Sequence, residues 1–512
     1  MSPAAAGVGS VKAHEWLFSR KNLDSLKGES VRGGVVTVLS EAFRFLLQTG
    51  SMIVIARLLT PEEYGVYGLV LALTGFVLLF KDVGLSMATV QRDEITHDEI
   101  STLFWINVGL GVLMSVIIAA AAPVLTWFYH DQRLFWVTIA SGLAFLISGF
   151  GMQHGALLQR TMRYTTMARI SVYSLLVSSV VGISMALLGC GYWSLVGMTL
   201  ASTIVGTVAS CWAIPWIPGR PKRGLGIRSM LHFGGTITLN NLVVYLAYNT
   251  VPNMLLGRVC GPEAVGLFGR AYQLVNLPMQ QLNNAIYRVA FPALSRIQND
   301  SARLCRSFLA GYSILLSCNM PITVFTALFA EPIIRILLGV KWLLAAPVLL
   351  LLTPAILGFA LVNPLGWFMM ATGLAKRSLH IAYLVAPVVI LGVVVGLPYG
   401  LTGVATGFSA AVVALVIPII VWALHGTGIT LRDFWNTVKQ PLLSGLLAGI
   451  CGMGLKHVMG EGWRPIPALL VGAGVVFGVY AFMLLVVMGQ KDHYLDLVKQ
   501  VMARKRAKQQ EA

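Results

Sequence analysis

The sequence predicts an all-α polytopic membrane protein, in which about fourteen transmembrane helices form two parallel six-helix repeats around a central cavity, plus two C-terminal helices. Composition is the first observation behind this prediction: 57% of the 512 residues are hydrophobic, 11% are charged, and the mean hydropathy is +0.78. So few charges cannot cover the surface of a soluble protein of this size. The other two observations are recurring apolar stretches and a repeated motif.

Apolar stretches of about 20 residues recur along the chain, and each is long enough to cross the ~30 Å hydrocarbon core of a bilayer as a helix. The segment before the first stretch is polar and has no apolar core of the kind that a secretion signal needs. The predicted spans are approximately 35–56, 66–86, 101–125, 134–155, 167–188, 192–214, 233–256, 270–293, 308–330, 345–371, 378–396, 399–424, 441–459 and 466–488.

The Lys and Arg residues indicate the direction in which these spans run. The terminal segments and the even-numbered loops hold 26 of them, whereas the odd-numbered loops hold 6. Because cytoplasmic loops are enriched in Lys and Arg, both termini are predicted to lie in the cytoplasm. The net charge of +17 is then explained by membrane topology, and no nucleic-acid partner is expected.

These spans and loops divide the chain into six predicted segments. The predicted segments are a cytoplasmic N-terminal segment (1–34), an N-lobe of helices 1–6 (35–214), a basic cytoplasmic linker (215–232), a C-lobe of helices 7–12 (233–424), two extra helices 13–14 (425–488) and a basic cytoplasmic tail (489–512).

A motif at the end of the first span recurs after the seventh. A-R-L-L-T-P-E-E-Y-G-V-Y-G at 56–68 matches G-R-V-C-G-P-E-A-V-G-L-F-G at 257–269 with a constant offset of 201. The repeat unit is therefore six spans, and because six is even, both copies enter the membrane in the same direction. Thr60-Pro61-Glu62-Glu63 also reads as a capping box with proline at the first helical position, which favours a structural role for the motif over substrate binding.

Candidate functional residues lie inside the spans. In the first span, Thr37, Glu41, Arg44, Gln48 and Ser51 follow at steps of four and three and form one polar stripe. Placing Arg or Glu at the centre of a bilayer costs at least ~2.5–3.5 kcal/mol, so this stripe must face a wet cavity or a protein interior.

The second repeat has comparable polar faces, and together with the first span they predict a hydrophilic central cavity. The candidate substrate-binding residues are Glu41, Arg44 and Gln48 of the first span, Tyr245 and Asn249 of the seventh, and Asn276, Gln280, Asn283 and Arg288 of the eighth. In this interpretation Arg44 and Arg288 attract an anionic substrate, while the amides and the tyrosine hydroxyl contact a polar, sugar-like part.

A purely structural interpretation of the same charges stands beside the functional one. Glu41 with Arg44, and Lys81 with Asp82, have the spacing of ion pairs that neutralise each other and hold helices together. Arg270 lies near a helix end, where a long side chain reaches the interface.

Sequence motifs of enzymes and cofactor sites are missing. The chain has no G-x-x-x-x-G-K-[ST], HExxH or G-x-S-x-G motif, and its six cysteines show no metal-ligand spacing. We therefore expect no catalytic residues, no metal and no cofactor. Transport is expected to use an ion gradient of Na⁺ or H⁺, the membrane potential or the substrate gradient, and the coupling ion stays open.

Several of these segments resemble a known family. They are G-G-V-V-T-V-L-S-E-A-F-R-F-L-L-Q-T-G from Gly33, the motif at 56–68, F-K-D-V-G-L-S-M-A-T-V-Q-R ending at Arg92, and G-R-V-C-G-P-E-A-V-G-L-F-G-R-A-Y from Gly257. The chain resembles the Wzx-type polysaccharide transporters, the oligosaccharide flippases of the multidrug/oligosaccharidyl-lipid/polysaccharide exporter superfamily.

This resemblance implies a multi-pass protein of the bacterial inner membrane. Its implied substrate is an undecaprenyl-pyrophosphate-linked oligosaccharide for O-antigen (lipopolysaccharide), capsule or exopolysaccharide assembly, with membrane lipids and a polysaccharide polymerase with its chain-length machinery as candidate partners. Two other functions stay open: a multidrug cation antiporter of the related exporter branch, and a membrane glycosyltransferase or polymerase.

Overall fold

The computed structural model describes residues 27–80, 89–90, 95–222, 239–240, 242–297, 300–460 and 463–491. Within these ranges, the side chains of 27–39, 285, 287–293, 295–296, 301 and 375 lie outside the description. All the secondary-structure elements in these ranges are helices, which confirms the predicted all-α class. The chain divides into two compact units, Met1–Leu242 and Val243–Ala512.

The first unit contains six long helices. They are α1 (Lys27–Leu58), α2 (Pro61–Leu78), α3 (His97–Tyr129), α4 (Arg133–Arg160), α5 (Tyr164–Leu187) and α6 (Trp193–Ala213). Inside this unit α3 packs along α4, α5 along α6, α4 along α6 and α1 along α5.

The second unit begins with a helical segment that contains a π-helix (Leu246–Thr250) and leads into a long helix with a break at Gly261. The helices that follow are α7 (Val251–Arg296), α8 (Ser301–Leu328), α9 (Ala330–Leu337), α10 (Ala345–Ala371), α11 (Ala375–Gly396), α12 (Gly400–Leu424), α13 (Leu431–Met459) and α14 (Pro465–Phe482). Short 3₁₀ turns at Val340–Trp342 and Leu397–Tyr399 and a final π-helix at Met483–Val487 complete it.

The second unit repeats the helix packing of the first. Here α8 packs along α10, α11 along α12, α10 along α12, and the π-helix against α11. Each of these pairs has a counterpart in the first unit: α3 with α4, α5 with α6, α4 with α6, and α1 with α5. The motif offset of 201 residues therefore reflects two copies of one packing scheme. The two additional helices, α13 and α14, both pack on α8.

Nine described segments are long and apolar enough to cross a bilayer, so the chain is a multi-pass membrane protein. One of them, Lys376–Leu424, holds two helices, α11 and α12, which are separated by a turn where Gly400 has φ +70°. Helix α1 falls outside this apolar set because its stripe carries Glu41, Arg44 and Gln48. The total of fourteen spans, the six segment boundaries and the orientation of the repeats stay predictions.

Residues 214–222, the last residue of the predicted N-lobe and the first eight of the predicted linker, form an anchored strap on the first unit. Trp216 is 4% exposed and its indole Nε1 donates to His97 Nδ1 at 3.1 Å. The backbone N–H of Gly219 donates to Ser101 Oγ at 2.9 Å, and Lys222 Nζ lies 2.6 Å from Asp98 Oδ2. The strap is therefore held at the first turn of α3 by both apolar and polar contacts.

Candidate functional site

The repeated motif sets a helix start in the first unit and a break in the second. Thr60 caps α2: its Oγ1 accepts from the Glu63 backbone at 3.3 Å, and the Glu63 carboxylate accepts from the Thr60 backbone at 2.7 Å. The position 201 residues later is Gly261, whose φ of +85° interrupts α7 before Pro262. The predicted capping box is confirmed, and in the second copy glycine supplies a left-handed conformation instead.

Side chains of the first motif copy contact neighbouring helices. The carboxylate of Glu62 lies 2.9 Å from Arg133 at the start of α4, and the Tyr67 hydroxyl lies 2.6 Å from Thr199 Oγ1 of α6. Tyr64 is 4% exposed. These contacts join α2 to α4 and α6, in agreement with a structural role for the motif.

The polar stripe of α1 brings its two charges into contact. Arg44 Nη2 lies 3.3 Å from Glu41 Oε2, and both side chains keep more than a third of their surface exposed. Ser51 is buried, while the Thr37 side chain lies outside the described residues. A guanidinium carries five N–H donors, so a single carboxylate contact leaves donors for a further anion.

Arg44 and Gln48 line an open cavity of about 610 Å³ in the first unit. The cavity is formed by α1, α4, α5 and α6, and its residues on α4 and α5 lie near the middle of those helices. Its described lining consists of Arg44, Gln48, Ser148, Gly151, Met152, Ile170, Ser171, Ser174, Leu175, Ser202, Thr203, Gly206, Thr207 and Ser210. The predicted stripe of α1 therefore faces a cavity rather than a sealed interior.

Hydroxyl side chains make up half of this lining, and none of them is among the candidate residues predicted from the sequence. Seven of the fourteen lining residues are Ser or Thr. The steps from Ser171 to Ser174 on α5, and from Thr203 to Thr207 on α6, do place hydroxyls on one helix face. That pattern is weak evidence for a binding site, because the hydroxyl of Ser or Thr in a membrane helix commonly donates to a backbone carbonyl of the preceding turn.

In the second unit the candidate residues lie on two consecutive helical segments. Tyr245 and Asn249 are half-buried, and Asn249 lies within the one-turn π-helix. Such π-turns inside longer helices are rare and occur frequently at functional sites. The structure therefore places these two residues at an irregular backbone segment, as a binding role would favour.

The remaining candidates of the second unit lie on α7. Asn276 is half-buried, Gln280 is exposed, and Asn283 is 8% exposed with its Oδ1 buried and unpartnered. Arg288 lies on α7, but its side chain is outside the described residues. The guanidinium of Arg270 donates to Gln273 Oε1 at 2.6 Å, which favours the structural interpretation of this arginine.

Several predicted residues lie outside the described part of the chain. They include Lys81 and Asp82 at the end of the second predicted span. The predicted assembly of all nine candidates around one central cavity stays a prediction. Among the described residues, no group of three or more His, Cys, Asp or Glu side chains is placed to hold a metal ion.

Comparison with known proteins relates this architecture to polysaccharide assembly. Several proteins have similar sequences. The teichuronic acid biosynthesis protein TuaB of Bacillus subtilis is 26% identical over 70% of this chain and 74% of its own length. The lipopolysaccharide biosynthesis protein WzxC of Escherichia coli is 24% identical over 72% of this chain and 76% of its own.

A solved structure shares the fold. The lipid II flippase MurJ, in an inward closed conformation, superposes with a TM-score of 0.70 over 91% of this chain and 100% of its own, at 14% identity. The family model described as polysaccharide biosynthesis protein matches residues 54–347, more than half of the chain. The chain thus belongs to this polysaccharide biosynthesis protein family.

Proposed function

We propose that this protein is a flippase that moves undecaprenyl-pyrophosphate-linked oligosaccharide repeat units across the bacterial inner membrane. The units would serve exopolysaccharide, capsule or O-antigen assembly. Family membership and the names of the relatives, which concern teichuronic acid and lipopolysaccharide biosynthesis, support the substrate class. The flippase MurJ, which shares the fold, supports the type of reaction.

Arg44 in the cavity of the first unit is the observation that carries this proposal. A guanidinium at the middle of a membrane protein is costly unless it has a function or a partner. Its one described ion pair is with Glu41 at 3.3 Å, and the arginine remains 39% exposed on a cavity wall. A pyrophosphate offers the oxygen acceptors that match the planar donors of arginine.

Movement of the substrate is proposed to follow alternating access. The two units share one packing scheme, and transporters built from such repeats expose one site to each side of the membrane in turn. In this proposal the substrate enters the cavity from the cytoplasmic leaflet and leaves it toward the periplasmic leaflet. The energy source stays open between an ion gradient, the membrane potential and the substrate gradient.

The two other functions are less well supported by the geometry. A multidrug cation antiporter needs an acidic group for its cation, and the acid of this cavity region, Glu41, is already paired with Arg44. A membrane glycosyltransferase or polymerase belongs to the same pathway but needs a catalytic site, and the cavity offers one arginine and neutral hydroxyls. We therefore propose that the protein moves the lipid-linked glycan rather than builds it.

Complementation of a flippase-deleted host tests this role of Arg44. We expect Arg44→Ala to reduce polymer production about tenfold or more, because a charged hydrogen bond to the pyrophosphate is lost, and Arg44→Lys to restore only part of it. Arg169→Ala is the matched control, since Arg169 is an exposed arginine on α5 outside the cavity lining. Full polymer yield with Arg44→Ala at equal membrane abundance would overturn the assignment.

A further inference from the structure

The cavity that holds Arg44 presents mostly neutral oxygen atoms. Half of its lining residues are Ser or Thr, contributed by α4, α5 and α6. Among the described residues of this lining, Arg44 alone carries a charge, and Glu41 already neutralises part of it. A ligand in this cavity would therefore contact one positively charged group and a larger surface of Ser and Thr hydroxyls.

The protons of four of these hydroxyls are already committed to backbone carbonyls. Ser148 donates to Phe145 at 2.9 Å and Thr203 to Thr199 at 2.8 Å. Thr207 donates to Ile147 at 3.3 Å and Ser210 to Gly206 at 2.7 Å. A hydroxyl has one proton and two lone pairs, so these four oxygens face the cavity as hydrogen-bond acceptors.

Ser174 provides an independent indication that a polar ligand belongs here. It is 6% exposed, it lines the cavity, and its Oγ is buried without a hydrogen-bond partner in the structure. Leaving a buried hydroxyl without a partner costs about 1–3 kcal/mol, and such a group is expected to be satisfied by whatever occupies the site.

We propose that the hydroxyl-lined side of this cavity binds an uncharged sugar, the one next to the pyrophosphate, and discriminates against an acidic sugar there. This inference rests on the proposed flippase function. The hydroxyl groups of a neutral sugar donate to the acceptor oxygens, whereas a uronate carboxylate would meet acceptors and no second cation. The volume of about 610 Å³ is within the usual range for small-molecule sites and leaves room for a sugar beside a diphosphate.

Equilibrium binding to the full-length protein in lipid nanodiscs tests this specificity. The probes are four short-chain polyprenyl pyrophosphates: one without sugar, and three carrying glucose, galactose or glucuronate. We expect the better of the two neutral sugars to bind about tenfold more tightly than glucuronate, because the carboxylate is desolvated without a partner.

Single hydroxyl deletions identify the surface responsible. Ser174→Ala is expected to weaken binding of the better neutral-sugar probe about five- to tenfold, the effect of one hydrogen bond, and to leave the sugar-free probe unchanged. Ser171→Ala tests a second lining hydroxyl with the same expectation. Ser178→Ala is the matched control, because Ser178 is equally buried on α5 but donates to Leu175 at 2.9 Å and does not line the cavity.

The outcomes separate this inference from the proposed function. If the protein binds none of the four pyrophosphate lipids, the flippase proposal and this inference both fail. If it binds them through Arg44 but glucuronate binds as tightly as the better neutral sugar, the sugar specificity is wrong and the flippase proposal stands. The specificity is equally overturned if Ser174→Ala and Ser171→Ala leave binding of the neutral-sugar probe unchanged.

Discussion

At the scale of single residues, the pairing of Arg44 with Glu41 sets how strongly the cavity attracts an anion. The 3.3 Å contact joins residues three positions apart on α1, so the pair forms within one turn of helix and needs no neighbour. Half-exposed pairs of this kind contribute at most about 1 kcal/mol to stability. Its main consequence is therefore electrostatic: the carboxylate competes with the substrate for the guanidinium.

Removing this competitor is expected to strengthen anion binding. Glu41→Gln should bind sugar-free polyprenyl pyrophosphate about two- to fivefold more tightly, measured at equilibrium in nanodiscs, because the full charge of Arg44 becomes available. The matched control is Glu331→Gln, which breaks a similar pair between Glu331 and Arg335 on α9, outside the cavity. Unchanged or weaker binding by Glu41→Gln would contradict the role of Arg44 as the anion-binding group.

A second residue-scale feature lies in the loop between α3 and α4. Burial raises the pKa of Asp131, but the side-chain and backbone hydrogen bonds from Arg133, together with its charge, outweigh burial and hold the pKa below its ordinary value of 3.8. The carboxylate lies 2.8 Å from Arg133 Nη2, and the same guanidinium contacts Glu62 of the repeated motif. This lowered pKa makes the contribution of Asp131 to stability dependent on pH.

The sign of this dependence follows from linkage. A carboxyl group with a lower pKa in the folded state stabilises the protein above the pKa of the unfolded state, and this stabilisation is lost as the pH falls through the folded value. Asp131→Asn should therefore lower the unfolding temperature in detergent by a few degrees at pH 7, with a difference from wild type that shrinks below pH 4. A difference that is constant between pH 7 and pH 3 would show that the charge of Asp131 is irrelevant.

At the scale of structural elements, the strap at 214–222 is held mainly by Trp216. Its ring packs in a cluster with Ile100 and Phe104 near the start of α3 and with Leu157 near the end of α4. His154, which is 4% exposed, places its Nε2 3.2 Å from the Trp216 carbonyl oxygen and its ring edge-on to the indole. One aromatic side chain thus joins the strap to two long helices.

Trp216→Ala should release the strap. Loss of a buried aromatic ring costs about 3–5 kcal/mol, enough to free a short segment without unfolding α3 and α4. The expected result is faster tryptic cleavage after Lys222 in detergent, with the helices still intact by circular dichroism. Trp212→Ala is the control one turn earlier, because Trp212 is 87% exposed; equal cleavage rates for the two variants would contradict the anchoring role of Trp216.

Elements with long apolar runs could be predicted closely from the sequence. The predicted span 345–371 has the same limits as α10, and 399–424 differs from α12 by one residue. The limits of α1 were less accurate, because this helix continues through polar turns that hydropathy does not mark. The predicted spans 233–256 and 270–293 fall on the two sides of the break in α7. The break at Gly261 lies in the second copy of the motif, at the position of the Thr60 cap in the first copy.

The candidate site could be predicted only in part, for a physical reason. Arg44 was recognisable because a charge inside a membrane is costly and therefore informative. The hydroxyls of Ser174 and Thr207 were not, because a hydroxyl in a membrane helix carries little cost and commonly bonds within its own helix. Only the packing of α5 and α6 against α4 brings them to one cavity wall.

At the scale of the whole molecule, the central claim is that the protein carries a lipid-linked glycan between leaflets through its arginine-bearing cavity. The repeated packing scheme supplies two homologous units, and the family model places the chain among polysaccharide biosynthesis proteins. The most direct measurement is the sidedness of lipid-linked repeat units in a flippase-deleted host, read with a membrane-impermeant label on spheroplasts. With the wild-type protein, most units should become accessible at the outer leaflet, and with Arg44→Ala they should accumulate unlabelled at the inner leaflet. Equal labelling with and without the wild-type protein would contradict the account.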